Sequence, residues 1–160
     1  MDARIEIARR VFAAWSSGDP DAPEPYFTAD AVLSDVASGR FEGWPAIRAF
    51  FAKGLAVWDD LVLAPDEFFV NDHGIALHYL MSATVADPAM YGPEMVGRRW
   101  EVEVMSYLRF RGDQVCYEVD VHDRGARARF LGLEPWRGAP PQRDPFHQAA
   151  WTSNNLRQSD

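Results

Sequence analysis

Hydrophobic residues are spaced in two different ways along the chain. In residues 3–17, and again from Trp44, apolar residues recur every three or four positions, which is the spacing of an amphipathic helix. A further short helix is predicted within 21–28. From Leu61 the spacing shifts toward two, which is typical of strands. The predicted strands, including a short one before the second long helix, cover 31–35, 61–71, 75–86, 97–110 and 114–122.

Turn-forming residues separate these strands. The segments 71–74 and 111–113 predict tight hairpins. Residues 36–43 are expected to form a loop. Residues 87–93 are expected to form a second loop, long enough to cover another part of the protein. Helices followed by hairpin-connected strands are typical of an α+β fold. We expect a curved antiparallel sheet with the N-terminal helices packed on its concave face, which leaves a cone-shaped cavity.

The last part of the chain differs in composition from the rest. Four prolines and a glycine break regular structure between residues 135 and 145. We therefore expect one domain over 1–134 and a tail over 135–160. Because the tail carries Trp136, Phe146 and Trp151, we expect it to lie on the body or on a neighbouring subunit.

Length and charge exclude several classes of protein. The chain has 160 residues, enough for one domain, and its net charge of −8 argues against nucleic acid or an anionic membrane surface as a partner. No apolar run is long enough to span a membrane, and charged residues interrupt the apolar ones from the N-terminus onward. The single cysteine, Cys116, excludes an internal disulfide. We expect a soluble, cytoplasmic protein.

The last predicted strand holds the strongest candidates for chemistry. Alternate side chains of a strand share one face. One face is apolar and carries Val115, Tyr117, Val119 and Val121. The other face is polar and carries Cys116, Glu118, Asp120 and His122. Such a polar face points either to solvent or into a cavity, and the alternation alone leaves both possibilities open.

Four segments in order carry a family resemblance. They are residues 12–19 (FAAWSSGD), 27–32 (FTADAV), 41–51 (FEGWPAIRAFF) and 91–99 (YGPEMVGRR). The first three resemble the end of the first helix, the entry into the first strand and the following helix of nuclear-transport-factor-2-like proteins. The fourth is similar to a passage of the SnoaL-like polyketide cyclases in that superfamily. The resemblance covers about residues 4–134 and implies a cone-shaped α+β fold.

The resemblance also implies roles for particular residues. Asp120 stands at the position of the acid or base of SnoaL-like cyclases and limonene epoxide hydrolase, a role that requires burial among apolar side chains. Asp35, at the end of the first strand, resembles the general base of ketosteroid isomerase; alternatively, it is a turn aspartate bonded to its own backbone. Asp123 is expected to cap the turn that follows.

His78 lies where SnoaL-like proteins often carry a basic residue. It could assist Asp120 if Ala76, His78 and Leu80 face inward. The opposite parity, with Leu77, Tyr79 and Met81 inward, is almost as consistent with the sequence.

Some activities of the superfamily fit this chain poorly. The positions of the oxyanion donors of ketosteroid isomerase hold Phe12 and Ser106, so steroid isomerisation of that type is disfavoured. Limonene epoxide hydrolase needs an Arg-x-Asp pair where this chain has residues 75–78 (IALH). A metal site built from His78, Glu118, Asp120 and His122 is conceivable from the ligand types. The family usually works without metal, and we expect neither a metal nor a cofactor.

The predicted function is acid/base chemistry in a buried pocket. Residues expected to bind substrate are Phe12, Trp15, Tyr26, Trp44, Phe50, Trp58, Ser106, Glu118 and His122. Cys116 is interpreted as a buried small residue. We predict a cofactor-free SnoaL-like enzyme that cyclises, isomerises or ring-opens a small hydrophobic molecule bearing a carbonyl or an epoxide. The alternative is a non-catalytic ligand-binding or dimerisation module. Apolar residues expected on the convex face of the sheet, such as Met105 and Val121, predict a homodimer.

Overall fold

The computed structural model describes residues 2–123 and 125–133. The helices are α1 (Ala3–Trp15), α2 (Trp44–Val57), α3 (Pro88–Tyr91) and α4 (Ala126–Phe130), with 3-10 turns at Glu24–Tyr26 and Pro93–Met95. The strands are β1 (Phe27–Asp35), β2 (Gly39–Glu42), β3 (Trp58–Asn71), β4 (Gly74–Val85), β5 (Arg99–Arg111) and β6 (Gln114–Val121). The predicted tail, 135–160, lies outside the described residues.

Two segments before α2 differ from the sequence-based expectation. The short helix predicted within 21–28 is wrong, because only Glu24–Tyr26 forms a 3-10 turn. Prolines at 20, 23 and 25 lack the N–H groups that a longer helix would need. The loop predicted over 36–43 contains β2, which pairs with the end of β1.

Polar caps fix both ends of α1. At its start the Asp2 side chain accepts a hydrogen bond from the backbone N–H of Arg4 at 2.9 Å. At its end the Ser16 hydroxyl donates to the Phe12 carbonyl at 2.8 Å and accepts from the backbone N–H of Leu63 at 2.9 Å. Ser16 therefore ties the end of α1 to β3.

Helix α2 starts at a glycine that the backbone requires. Gly43 has φ 78°, a conformation in which a side chain would be strained. Pro45 follows within the first turn, where its missing N–H costs nothing. Trp44 and Ile47 are buried, so the helix is oriented from its first turn.

The six strands form one curved, open sheet in the order β2-β1-β6-β5-β4-β3. All neighbours are antiparallel except β1 and β6, which run parallel. The α+β prediction is therefore confirmed. Strand β6 lies in the middle of the sheet, between β1 and β5, so its side chains have neighbours on both sides.

Burial along β4 identifies the concave face. Leu77 and Tyr79 are buried, and the Tyr79 ring packs edge-on against Phe12 of α1 with centroids 4.8 Å apart. His78 and Leu80 lie on the opposite, convex face, where Leu80 is exposed. The parity that would place His78 inward is wrong, because Tyr79 occupies the space under α1.

A bulge interrupts β6 near its start. Phe110 of β5 pairs with Val115, but the preceding Arg109 pairs with Tyr117, so Cys116 is an extra residue in the ladder. As a result Val115 and Glu118 both lie on the concave side and both are buried. Glu118, Asp120 and His122 share that side as expected, but Val115 joins them, which regular alternation does not allow.

None of the helices in the described part of the chain is long and apolar enough to cross a membrane.

Candidate active site

A cavity of about 400 Å³ opens on the concave side of the sheet. This size is typical of pockets that bind small molecules. Every long strand and all four of the described helices contribute to its wall. The lining residues are Trp15, Leu33, Asp35, Ser38, Phe50, Phe51, Lys53, Gly54, Val57, Trp58, Leu61, Leu63, Tyr79, Met81, Met90, Trp100, Glu118, Asp120, His122 and Arg127.

Aromatic side chains form much of the wall. The rings of Trp15 and Phe51 have centroids 4.0 Å apart, and those of Trp58 and Trp100 meet edge-on at 5.1 Å. The Arg127 guanidinium lies 4.9 Å from the Trp100 ring centroid and 5.2 Å from that of Trp58. An apolar wall of this kind weakens the solvation of any charge inside the cavity.

Strand pairing brings three polar residues into one row across the sheet. Asp120 of β6 is paired with Ser106 of β5 on one side and with Asp35 of β1 on the other. The Ser106 hydroxyl hydrogen-bonds Oδ1 of Asp120 and lies 3.4 Å from the hydroxyl of Tyr79. The middle residue of the row is therefore oriented from one side and faces a second carboxylate on the other.

The environment of Asp120 disfavours its charge. Burial raises the pKa of its carboxyl from 3.8 to about 6, and the nearby charge of Asp35 acts in the same direction. The hydrogen bond from Ser106 and the proximity of His122 oppose this shift without cancelling it. Asp120 can therefore exchange a proton near neutral pH.

Asp35 has the opposite balance. Burial opposes its ionisation, but His122 and the hydrogen bonds from the loop outweigh burial and lower its pKa. Oδ1 accepts from the backbone N–H groups of Ala37 and Ser38, each at 2.8 Å, and Oδ2 lies 3.4 Å from Nε2 of His122. Asp35 thus bonds its own turn and also lines the cavity, so the two sequence-based interpretations both describe part of its environment.

Glu118 is the most deeply buried acid of the cavity wall. It is 2% exposed, and its Oε2 has no hydrogen-bond partner among the described residues. Burial raises its pKa well above the usual range, and the charge of Asp120 adds to this, while a hydrogen bond with Trp15 opposes it. Burial therefore favours the protonated form of Glu118.

His78 does not reach the cavity. Its Nδ1 lies 2.7 Å from Oδ1 of Asp66 on the convex side, and this contact raises the pKa of the imidazole. The sequence-based expectation that His78 could assist Asp120 is wrong, because the two side chains lie on opposite faces of the sheet. For the same reason the conceivable metal ligands His78, Glu118, Asp120 and His122 do not converge.

Five of the nine residues expected to bind substrate line the cavity, namely Trp15, Phe50, Trp58, Glu118 and His122. The other four belong to the surrounding structure. Phe12 packs edge-on against Tyr79, Trp44 packs against Trp15 and Phe27, and Tyr26 packs against the core. Ser106 contacts the site only through Asp120 and Tyr79.

Asp123 and Cys116 lie outside the cavity. Asp123 accepts a hydrogen bond from the backbone N–H of Gly125 at 2.8 Å and pairs with Arg129, so it caps the turn as predicted. Cys116 is only half-buried, with Sγ 3.6 Å from the Arg109 carbonyl, and serves as the bulge residue rather than as a core residue.

Several residues of the cavity wall were not predicted from the sequence. Trp100 belongs to a strict alternation with Val102 and Val104, all buried, and this pattern could have placed it on the inner face. Phe51 sits beside the predicted Phe50 in α2. Arg127 follows the last strand, and no pattern in the sequence marks it.

Solved structures share this fold at low sequence identity. A hypothetical protein of Catenulispora acidiphila with a ketosteroid isomerase-like fold, in complex with trimethylamine, is 20% identical with a TM-score of 0.71; the match covers 84% of this chain and 98% of that one. A proposed polyketide cyclase of Xanthomonas campestris pv. campestris is 14% identical with a TM-score of 0.72, over 80% and 96%. IdmH of Streptomyces antibioticus, also a proposed polyketide cyclase, is 17% identical with a TM-score of 0.69, over 82% and 100%.

Sequence comparison gives the family. No curated protein sequence matches the chain. A family model described as a SnoaL-like domain matches residues 8–118, which is more than half of the chain. The protein therefore belongs to the SnoaL-like domain family.

Proposed function

We propose that this protein is an acid/base enzyme that moves a proton on a small hydrophobic molecule bearing a carbonyl or an epoxide. The observation that carries the proposal is the environment of Asp120, a carboxyl on the wall of an aromatic cavity whose pKa is raised to about 6. A group with such a pKa is available in both protonation states near neutral pH. The cyclase assignments proposed for two structural neighbours point in the same direction.

The two aspartates have different tasks in this mechanism. Ionised Asp120 takes a proton from carbon next to the substrate carbonyl; the C–H electrons form a carbon–carbon double bond, and the carbonyl electrons move to oxygen. In isomerisation, protonated Asp120 returns the proton to a different carbon. In ring closure, the enolate carbon attacks a second carbonyl carbon of the substrate, and protonated Asp120 gives its proton to the alkoxide oxygen that forms. With an epoxide, protonated Asp120 gives its proton to the ring oxygen while a water molecule attacks a ring carbon and the C–O bond breaks; the proton that this water loses restores protonated Asp120. Asp35 stays ionised and orients His122. Pairs of carboxyls with separated pKa values are suited to such a division.

A binding module without catalysis is the alternative. The cavity would serve binding equally well, because Oε2 of Glu118 and Nδ1 of His122 have no hydrogen-bond partner among the described residues. A purely structural dimerisation domain, by contrast, has no need of a 400 Å³ cavity. An enzyme of the proposed kind accelerates proton exchange at the carbon next to the carbonyl, whereas a binding module does not. The exchange rate therefore distinguishes the two functions.

The test measures hydrogen–deuterium exchange next to the carbonyl. A panel of small aromatic ketones and 1,3-diketones is incubated with the protein in deuterated water, and exchange is followed by NMR. We expect a protein-dependent rate that rises with pH around about 6, since the base is ionised Asp120. Asp120→Asn is expected to lower that rate by at least about 100-fold, and His78→Asn, on the convex face, to leave it unchanged. Unchanged exchange in the Asp120 variant would remove the proposal, and ligand binding without exchange would favour the binding module.

A further inference from the structure

Glu118 is a buried acid that the proposed proton transfer does not use. It lies on the same strand face as Asp120, two positions earlier, which separates their Cα atoms by about 7 Å. Its side chain lines the cavity, and Oε2 has no partner among the described residues. A buried polar atom without a hydrogen-bond partner costs free energy, so its presence on a cavity wall points to a ligand that forms the missing hydrogen bond.

The surroundings of Glu118 favour its neutral form. The residue is 2% exposed, and none of the ion pairs between described residues includes it. The charge of Asp120 has the same sign and raises the pKa of Glu118 further. A neutral carboxyl has an O–H that can donate a hydrogen bond, whereas a carboxylate can only accept.

The other deep acids of the cavity cannot act as this donor. Asp35 is ionised. Its Oδ1 accepts hydrogen bonds from two backbone N–H groups of the loop, and its Oδ2 lies 3.4 Å from Nε2 of His122. Asp120 must be ionised to take the proton from carbon. Removing that proton leaves negative charge on the substrate oxygen, and a donor placed there lowers the barrier.

We infer that Glu118 is a second catalytic residue, a neutral acid whose O–H donates a hydrogen bond to the substrate oxygen that becomes negative while Asp120 holds the transferred proton. This inference rests on the proposed acid/base function. The proton of Glu118 stays on Glu118 throughout; only the hydrogen bond strengthens as the enolate forms. The substrate is thus a carbonyl compound whose oxygen lies at Glu118 and whose acidic C–H lies at Asp120.

Infrared difference spectroscopy tests the protonation state and the contact without turnover. The wild-type protein at neutral pH is expected to show the C=O stretch of a protonated carboxyl that is missing in Glu118→Gln and retained in Glu103→Gln, a matched change at an exposed position of β5. Adding 4-nitrophenol, whose phenolate oxygen carries negative charge on a planar ring, is expected to shift this band. Absence of the band, or a band that does not move when the probe binds, overturns the inference.

Binding of the same probe gives a second measurement. Glu118→Leu removes the donor and is expected to weaken binding of 4-nitrophenolate, followed by its visible absorbance, by at least about tenfold. Glu118→Gln keeps an N–H donor and is expected to bind more tightly than Glu118→Leu. Equal affinity of wild type and Glu118→Leu contradicts the inference. If Glu118→Leu does not fold, the infrared experiment still decides. Because neither readout uses turnover, failure here is distinct from unchanged exchange in Asp120→Asn.

Discussion

His78 and Tyr79 are adjacent on β4, yet they lie on opposite faces of the sheet and in opposite environments. Tyr79 is buried on the concave face, where burial raises the pKa of its phenol well above the usual range. His78 lies on the convex face, where its partner Asp66 raises its pKa. Burial dominates the pKa of Tyr79, Glu118 and Asp120 on the concave face, whereas pairing with an accessible charge dominates that of His78 on the convex face. Titratable groups with altered proton affinity and no compensating ion are therefore expected only where the sheet curves around the cavity.

The convex face offers the largest test of this contrast. Its apolar residues Leu80, Met105 and Val121 are exposed, and Met105 is paired directly with Val121. The homodimer through this face remains a prediction. Met105→Glu combined with Val121→Glu would place like charges at its centre. We expect sedimentation to show a fall from the mass of two chains to that of one.

The control for the dimer is a charge placed elsewhere. Ala13 is exposed on α1, so Ala13→Glu should leave the sedimentation mass unchanged. A double variant that sediments like the wild-type protein, or a wild-type protein that is already one chain, would show that the convex face is not the interface.

The second prediction concerns the stability of the concave face. In the unfolded chain Asp120 titrates near 3.8, and in the folded protein near 6. Between these values the folded protein holds a proton that the unfolded chain has lost, so its stability falls as the pH rises through this window. Asp120→Asn removes the penalty. We expect it to raise the free energy of unfolding by about 1–2 kcal/mol at pH ~7 and to change it little at pH ~4.

Denaturant unfolding at the two pH values measures this effect. Glu103→Gln, which removes an exposed carboxyl of β5, should produce no comparable gain at neutral pH. A neutral-pH loss of stability in Asp120→Asn would mean that its charge is better stabilised in the folded state than the cavity suggests.

The third and smallest prediction concerns the neighbour of Asp120. The Ser106 hydroxyl stabilises ionised Asp120, so Ser106→Ala should raise the pKa of that carboxyl further. The rise of the exchange rate with pH should then move upward by less than about one pH unit. Ser82→Ala is the matched control, because Ser82 is also a buried serine but its hydroxyl accepts from Arg99. A shift to lower pH would contradict the assigned hydrogen bond.

The sequence was sufficient for the fold but only partly for the site. The helices, the long strands and the shared side of Glu118, Asp120 and His122 follow from spacing, because periodicity reports directly on burial. The parity of β4 could not be decided in this way. Leu77, Tyr79 and Met81 alternate with Ala76, His78 and Leu80, so either set could pack inward.

The protonation states were beyond the sequence for a different reason. Asp35 and Asp120 are the same residue type, each near a strand end, and differ only in what surrounds them. Backbone N–H groups and His122 surround Asp35, whereas apolar burial and a second carboxylate surround Asp120. These neighbours come from strands and loops far apart in the chain, so no local pattern encodes the difference.

The bulge at Cys116 has a consequence for redesign of this fold. In a regular strand, positions three apart point to opposite sides, yet β6 places Val115 in the core and Glu118 in the cavity wall. The position of this one added residue therefore sets where, along β6, the concave side changes from apolar to ionisable side chains. Moving the bulge past Glu118 would turn that side chain to the convex face, whereas Asp120 beyond it would keep its side of the sheet.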